Sequence, residues 1–186
     1  GRPYIYENLL DKTFKISAHS FFQVNPQQAE KLYQKAIELA DLKPNQTLLD
    51  AYCGIGTLSL LSAPLVKKVI GIEVVKSAIE DAKLNAEYNN ISNCSFIQGV
   101  VEDKIQKLDP FDVVFINPPR KGCEIDVLKA LSKKKNKKLI YISCDPATLS
   151  RDLKFLCQNG FAVKAVQPFD MFPQTSHVET CVLLEP

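Results

Sequence analysis

One cysteine stands where a thiol can do chemistry. Cys144 follows an apolar run and precedes Asp145, a favourable helix N-cap, and Pro146, which suits the first position of a helix. The positive end of a helix stabilises a thiolate, which is the attacking species in cysteine catalysis. Because free cysteines are commonly buried, the residues alone leave two roles open for Cys144, a nucleophile or a packing residue.

Glu179 is the second candidate for chemistry. In a strand predicted over residues 178–184, alternation puts Glu179 on the same face as Cys181 and Leu183. A carboxylate with apolar neighbours on both faces is either an acid that reaches water at the strand end or a partly desolvated general base with a raised pKa. The nearby His177 is interpreted as a hydrogen-bonding residue of the loop.

A glycine-containing loop indicates a nucleoside ligand. Asp50 follows the first predicted strand, and the loop after it contains Gly54 and Gly56. Glu73 ends the second strand, where an acid can accept both hydroxyls of a ribose. Ligands of open α/β sheets bind beyond the carboxyl ends of the strands, and glycine lets the backbone approach them. Glycines that only turn the chain would not explain the pairing of Asp50 with Glu73.

The same loop distinguishes between two nucleoside ligands. A dinucleotide fingerprint requires a third glycine three residues after Gly56, and this position is Ser59. The carboxylate of Asp50 would repel a pyrophosphate, whereas it complements the ammonium of a methionyl group. We therefore expect S-adenosylmethionine as the cofactor. Cys53, in the same loop, is interpreted as a small packed residue.

The elements that position these residues alternate between strand and helix. One helix is predicted from its cap Asn25 to about residue 42, and another over about residues 146–159. Two closing strands, at residues 161–166 and 178–184, are expected to pair antiparallel. The alternation predicts a parallel sheet with helices on both faces. Its strands are predicted at residues 47–49, 69–72, 95–97, 113–116 and 139–142.

Composition limits the classes of protein. The 186 residues, 46% of them hydrophobic, fit one globular domain, and a net charge of +2 is too mild to indicate nucleic acid by itself. The six cysteines contain no C-x-x-C pair and the two histidines are not spaced like zinc ligands, so we expect no metal site. The sequence contains no secretory segment and no apolar stretch of about 18 residues, so we expect a cytoplasmic location without a membrane partner.

The lysine-rich block from Lys133 to Lys138 is interpreted as a solvated connection, with an RNA phosphate contact as the alternative.

Five stretches together resemble the RNA uracil-5-methyltransferases, the family of 5-methyluridine enzymes that act on rRNA and tRNA. The resemblance implies an α/β, Rossmann-like class I methyltransferase fold over residues 25–186, S-adenosylmethionine as cofactor, and RNA as partner of a monomer. It also implies that complete members carry an N-terminal RNA-binding β-barrel, often with an iron-sulfur cluster. A hairpin predicted within residues 1–24 would connect to that domain. The stretches are Phe21–Asn25, Asp50–Gly56, Pro118–Gly122, Ser143–Leu149 and Met171–Glu179.

The resemblance also implies roles for particular residues. Cys144 would be the nucleophile that adds to carbon 6 of uracil, and Glu179 the base that removes the proton from carbon 5. Arg120 or Phe172 would grip the target base or stack on it. The expected cofactor-binding residues are Gln23, Asp50, Tyr52, Gly54, Gly56, Thr57, Glu73, Val100 and Asn117.

Two positions depart from the family pattern and keep alternatives open. Asn117 stands where the family usually has Asp, and Val100 stands where Asp or Asn usually meets the cofactor. These departures raise the alternative of a homologue that binds cofactor or RNA without catalysis. A second alternative is an amino-methyltransferase acting on an RNA or DNA base, because Asn117-Pro118-Pro119 opens the corresponding motif. That chemistry requires an aromatic residue next, where this sequence has Arg120.

Overall fold

A computed structural model describes residues 1–134 and 138–186 of the chain. Its strands are β1 Tyr4–Leu9, β2 Lys12–Ser17, β3 Thr47–Ala51, β4 Lys68–Glu73, β5 Cys94–Gln98, β6 Val113–Ile116, β7 Lys138–Ser143, β8 Ala162–Phe169 and β9 Glu179–Glu185. Its α-helices are α1 Pro26–Ala40, α2 Thr57–Ser62, α3 Lys76–Tyr88, α4 Val101–Ile105, α5 Ile125–Lys133 and α6 Pro146–Gln158. Residues 135–137 of the lysine-rich block lie outside the described residues, so the interpretation of that block stays a prediction.

Seven strands form the main sheet, in the order β5-β4-β3-β6-β7-β9-β8. The first five pair parallel, whereas β9 pairs antiparallel with both β7 and β8. The prediction of a mostly parallel sheet with an antiparallel closing hairpin is confirmed. The chain starts in the centre at β3, moves outward through β4 to β5 and returns to β6. The strand order therefore reverses between β3 and β6, and open α/β sheets bind ligands at such a switch point.

Apolar side chains cover both faces of the sheet. In β6, Val113 and Phe115 pack into the core shared with α1, α2 and α3, whereas Val114 and Ile116 pack into the core shared with α4, α5 and α6. All four side chains are fully buried. Successive side chains point to opposite faces of a strand, so a continuous apolar strand is what a sheet between two helical layers requires. The predicted cover of helices on both faces is confirmed.

Both predicted helix starts are capped as expected. Oδ1 of Asn25 accepts a hydrogen bond from the amide of Gln28 at 3.3 Å. Oδ1 of Asp145 accepts the amides of Ala147 and Thr148 at 2.9 and 3.0 Å. Each such cap typically contributes about 1 kcal/mol to stability. The second cap fixes the start of α6 directly after the segment that carries the candidate nucleophile.

The ends of several elements differ slightly from the predictions. α1 ends at Ala40 because Asp41 takes a left-handed conformation with φ 48° and ψ 54°. β8 extends as far as Phe169 and includes Pro168, which the strand tolerates because it lies at the edge of the sheet. Gly160, with φ 101°, follows the end of α6.

The predicted N-terminal hairpin is present and packs against α3. β1 and β2 pair antiparallel. The side chain of Asn85 accepts the amide of Lys15 at 2.7 Å, and the carboxylate of Asp81 accepts the amide of Ser17 at 2.9 Å. Phe14 of the hairpin is buried in the same core as α1 and α3. These contacts bring the segment that follows β2 to the edge of the cavity described below.

Candidate active site

A cavity of about 790 Å³ opens at the carboxyl ends of the central strands. Its wall includes Asp50 of β3 and Asn117, which directly follows β6, so it lies at the switch point of the sheet. The cofactor, catalytic and substrate residues predicted from the sequence all line it, with one exception. The predicted residues in its wall are Gln23, Asp50, Tyr52, Gly54, Thr57, Glu73, Val100, Asn117, Arg120, Cys144, Phe172 and Glu179.

The exception is Gly56, which does not line the cavity. It precedes α2 and has a left-handed backbone with φ 84°. A Cβ at this position would lie 3.1 Å from the ring of Phe96 and 3.3 Å from the Cβ of Ala82. Glycine is therefore required here by backbone conformation and by close packing against β5 and α3. The contact of Gly56 with a cofactor stays a prediction.

Asp50 is a buried carboxylate in the cavity wall, with 2% of its surface exposed. Its Oδ2 accepts the hydroxyl of Ser59 at 2.5 Å. Burial raises the pKa of Asp50 to about 6, the hydrogen bonds from Ser59 oppose that rise, and the charge of Glu73 adds to it. Because burial penalises an unpaired charge, an incoming cation would stabilise the ionised form. Asp50 is thus suited to hold an ammonium group.

Glu73 connects the end of β4 to the glycine-containing loop. Its Oε2 accepts the amide of Gly54 at 3.2 Å, and its Oε1 accepts the amide of Val75 at 2.9 Å. These two bonds fix the orientation of the carboxylate. Each carboxylate oxygen has a second lone pair, so both can still accept a ribose hydroxyl.

The remaining cofactor candidates differ in how they meet the cavity. Tyr52 has a left-handed φ of 71°, a conformation that costs a non-glycine residue on the order of 1–3 kcal/mol and concentrates at ligand sites. Thr57 is buried in the first turn of α2. The side chain of Asn117 has no hydrogen-bond partner among the described residues, and Val100 is exposed at the start of α4. Asn117 and Val100 are therefore available to a ligand.

Cys144 is half-buried in the cavity wall between β7 and α6. Burial is the main cause that raises the pKa of its thiol, and the negative charge of Glu179 raises it further. The charge of Arg120 lowers it. The net direction is opposite to the one expected from the helix start alone. The reasons are first the burial of the thiol and then the charge of Glu179, with a smaller contribution from Asp145, which also occupies the first free amides of α6.

Glu179 is the first residue of β9 and is 4% exposed. Its side chain has no hydrogen-bond partner among residues 1–134 and 138–186. Burial raises its pKa, which favours the desolvated carboxylate among the two alternatives that the sequence leaves open. Cys181 and Leu183 pack into one core and Val182 into the other, so the predicted alternation of β9 is confirmed. A buried, unpaired carboxylate beside a thiol is well suited to accept a proton.

The rim of the cavity carries a cation and an aromatic ring. Nε of Arg120 lies 3.8 Å from Oδ2 of Asp145, and its Nη2 lies 3.4 Å from Nδ1 of His177. The ring of His177 meets that of Phe172 edge-on, with 6.2 Å between centroids. His177 is thus a hydrogen-bonding residue of the loop, as expected. It holds the two predicted base-contacting residues side by side.

Tyr33 and Phe21 are among the lining residues to which the sequence interpretation gave no role. Tyr33 on α1 is 6% exposed, and burial together with the charges of Asp50 and Glu179 raises its pKa. The side chain of Gln23 partly opposes this rise in pKa. Phe21, at the rim, is 70% exposed. Only the hydroxyl of Tyr33 distinguishes it from a core residue at helical spacing, so the sequence offers a weak signal for it.

The described part of the chain has neither a metal cluster nor a spanning helix. No three His, Cys, Asp or Glu side chains in it come together as a metal site requires. None of its helices combines the length and the apolar character needed to cross a bilayer.

A known family and individual known proteins match this chain over nearly its whole length. A model of the tRNA (Uracil-5-)-methyltransferase family matches residues 4–186. A protein of Oceanobacillus iheyensis described as an uncharacterized RNA methyltransferase is 53% identical over 187 residues, covering 98% of this chain and 40% of that protein. The chain thus spans about two fifths of the length of the curated relatives that it matches.

Solved structures of other methyltransferases share the fold. The Pyrococcus abyssi tRNA (uracil-54, C5)-methyltransferase, in complex with S-adenosyl-L-homocysteine, superposes with a TM-score of 0.85 at 33% identity, over 99% of this chain and 45% of that one. A precorrin-6y C5,15-methyltransferase from Geobacter metallireducens has a TM-score of 0.73 at 13% identity, over 84% and 88% of the two chains. The predicted Rossmann-like class I methyltransferase fold is confirmed.

Proposed function

Because the chain belongs to the tRNA (uracil-5-)-methyltransferase family, we propose that it transfers a methyl group from S-adenosylmethionine to carbon 5 of a specific uridine in rRNA or tRNA, through a covalent adduct with Cys144. One observation carries the proposal. A thiol, a buried unpaired carboxylate and the two acids expected to hold the cofactor share a single cavity wall; they are Cys144, Glu179, Asp50 and Glu73.

The cavity fits S-adenosylmethionine in size and in the chemistry of its wall. Small-molecule sites span about 300–1,000 Å³, and this cavity measures about 790 Å³. Glu73 supplies acceptors for ribose hydroxyls, and Asp50 supplies a counter-charge for the ammonium. A Cβ at Gly54 would meet nothing within 4 Å, so a ligand can approach the backbone there. When bound, this cofactor supplies an electrophilic methyl group on its sulfonium.

Cys144 makes carbon 5 of uracil reactive. That carbon is a poor nucleophile until the conjugation of the ring is broken. The thiolate forms a bond to carbon 6, and the electron pair of the 5,6 double bond moves to give an enolate that is nucleophilic at carbon 5. Arg120 supports this step because its charge favours the thiolate.

Glu179 completes the reaction. After methyl transfer, carbon 5 carries both its proton and the new methyl group. The carboxylate accepts that proton, the freed electron pair re-forms the 5,6 double bond, and the bond from carbon 6 to sulfur breaks with the thiolate as leaving group. Because burial raises its pKa, Glu179 is a stronger base than an exposed glutamate.

The target uridine must leave its stack before it can reach Cys144. Bases in folded RNA loops are read when they are unstacked and held by aromatic or guanidinium planes. Arg120 and Phe172, both at the rim and both close to His177, offer such planes. We expect the whole protein to act as a cytoplasmic monomer and to hold its RNA also through the expected N-terminal β-barrel, with or without an iron-sulfur cluster.

The test is methylation of RNA by the full-length protein. RNA from cells that lack the gene is incubated with S-adenosylmethionine carrying a labelled methyl group, digested to nucleosides and separated by mass. The proposal predicts labelled 5-methyluridine. RNA from cells that contain the gene is the control and should take up no label, because its site is already methylated.

The two alternatives predict different products. Label in methyladenosine or methylguanosine would indicate an amino-methyltransferase and contradict the proposal. Absence of label with measurable cofactor binding would indicate the non-catalytic homologue that Asn117 and Val100 brought into consideration. Cys144 and Glu179, which such a homologue would not need, both line the cavity and favour catalysis.

A further inference from the structure

Asp152 is a fully buried carboxylate that lies outside the cavity wall. Its Oδ2 accepts the amide of Cys123 at 2.8 Å and the hydroxyl of Tyr141 at 2.6 Å. Its Oδ1 accepts Nε of Arg151 at 2.8 Å. A buried charge is tolerated when it is paired and fully hydrogen-bonded, as it is here. The reaction proposed above gives this group no chemical role.

Arg151 extends the network to the loop between β6 and α5. Its Nη2 donates to the carbonyl oxygens of Lys121 at 3.0 Å and Cys123 at 3.4 Å. One turn earlier in α6, Oγ1 of Thr148 donates to the carbonyl oxygen of Arg120 at 3.1 Å. Side chains of α6 therefore hold the backbone of three residues in this loop.

Gly122 shows how closely the loop is seated. Its backbone is left-handed, with φ 77°, and a Cβ there would lie 2.6 Å from Nη2 of Arg151 and 2.6 Å from Oδ2 of Asp152. A real Cβ atom cannot come so close to either group. Only glycine lets the loop reach this pair.

The network joins the elements that carry the reacting groups. Tyr141 lies in β7, which ends just before Cys144, and α6 begins just after it. The loop carries Arg120, whose charge acts on the thiol of Cys144. Asp152 is bound to a group in each of these elements.

We propose that Asp152 and Arg151 are positioning residues that hold the loop carrying Arg120 against α6, at the distance from Cys144 that reaction with uracil requires. This inference rests on the proposed function, which gives Arg120 its role beside Cys144. The acids expected to hold the cofactor lie in β3 and β4, and in the described chain they make no hydrogen bond with either positioning residue. Asn117 directly follows β6, and the bonds from α6 hold Arg120, Lys121 and Cys123 further along the loop. Release of residues 120–123 should therefore slow adduct formation and leave cofactor affinity unchanged.

The test uses the full-length protein with Asp152→Asn, Arg151→Gln and, as a matched control, Lys154→Gln, which removes an exposed charge from the same helix. In both positioning variants the Kd for S-adenosylmethionine should stay within about twofold of the wild type. Adduct formation is followed with RNA that carries 5-fluorouridine at the target position, where fluorine cannot leave as a proton does and the adduct persists. Its rate should fall at least about tenfold, because a small misplacement of a reacting group slows a reaction strongly. The pH midpoint at which the rate of adduct formation rises should move upward, because the released Arg120 no longer lowers the pKa of Cys144. Lys154→Gln should match the wild type throughout.

Several outcomes would overturn the inference. Wild-type rates of adduct formation and wild-type pH midpoints in both variants would overturn it. A loss of cofactor affinity as large as the loss of rate would also overturn it, because such a loss indicates a general folding defect. Hydrogen exchange at the amide of Cys123 tests the contact without RNA. It should become faster in Asp152→Asn, and unchanged exchange would contradict the inference. If the wild type itself forms no adduct, the proposed function fails, and the exchange measurement alone decides whether Asp152 and Arg151 hold the loop.

Discussion

The hydroxyl of Ser59 donates a 2.5 Å hydrogen bond to Oδ2 of Asp50, and both groups are buried. Ser59 occupies the position where a dinucleotide fingerprint has its third glycine. Here the first turn of α2 supports a carboxylate in the cavity wall. This arrangement favours a cationic ligand group over a pyrophosphate.

Cofactor affinity should depend on the ionisation of Asp50. In the free protein the pKa of Asp50 is raised to about 6, and an ammonium beside the carboxylate favours its ionised form. Binding therefore lowers the pKa of Asp50. The affinity is full well above the pKa of the free protein, about 6, and is lost as the pH falls through that value. We expect the affinity for S-adenosylmethionine to fall roughly tenfold from about pH 7 to about pH 5. Calorimetry over this range measures it.

Asp50→Asn is the control for this pH dependence. Asparagine keeps the size of the side chain and an acceptor for Ser59 but has no charge to lose. Its affinity should be low and flat over the same range. An equally steep profile in Asp50→Asn would show that another group, or the cofactor itself, titrates.

Arg120 should shift the pH dependence of adduct formation. Its charge lowers the pKa of Cys144, so Arg120→Gln should raise that pKa and move the rising limb of the rate to higher pH. Arg120 is exposed, so solvent screens its charge and limits the shift. Lys121→Gln, which removes the neighbouring exposed charge, should leave the midpoint in place. Identical midpoints in both variants would refute this role for Arg120.

Glu179→Gln should separate the two halves of the reaction. Addition and methyl transfer precede the step that needs the base, so the methylated adduct should accumulate with ordinary uridine. Turnover should fall by about 100-fold or more, as expected when a positioned general base is lost. Glu185→Gln, at the far end of the same strand, should behave like the wild type. Normal turnover in Glu179→Gln would mean that another group removes the proton.

The sequence predicts elements well where single residues mark their ends or faces. Asn25 and Asp145 cap α1 and α6 because short polar side chains satisfy free amides there. The four buried residues of β6 form an apolar run that only a sheet covered on both faces uses. α2 gives no such signal, because all six of its residues are buried and no amphipathic stripe exists.

The site is predictable where strand ends converge and unpredictable where neighbours come from distant elements. Asp50 and Glu73 lie at the carboxyl ends of the adjacent parallel strands β3 and β4, so their convergence can be read from the chain. The raised pKa of Cys144 depends on burial and on Glu179, which arrives from another strand. Tyr33 reaches the cavity only because α1 packs over β7 and β9. Such relations need the tertiary structure.

The most direct test of the account is the covalent adduct of Cys144 with RNA that carries 5-fluorouridine at the target position. Fluorine cannot leave carbon 5 as a proton does, so the full-length protein with S-adenosylmethionine should form a methylated adduct that survives denaturant. Cys53→Ala removes another thiol from the same cavity wall and should still form it, whereas Cys144→Ala should form none. An adduct that persists in Cys144→Ala, or its absence from the wild type on methylatable RNA, would contradict the account.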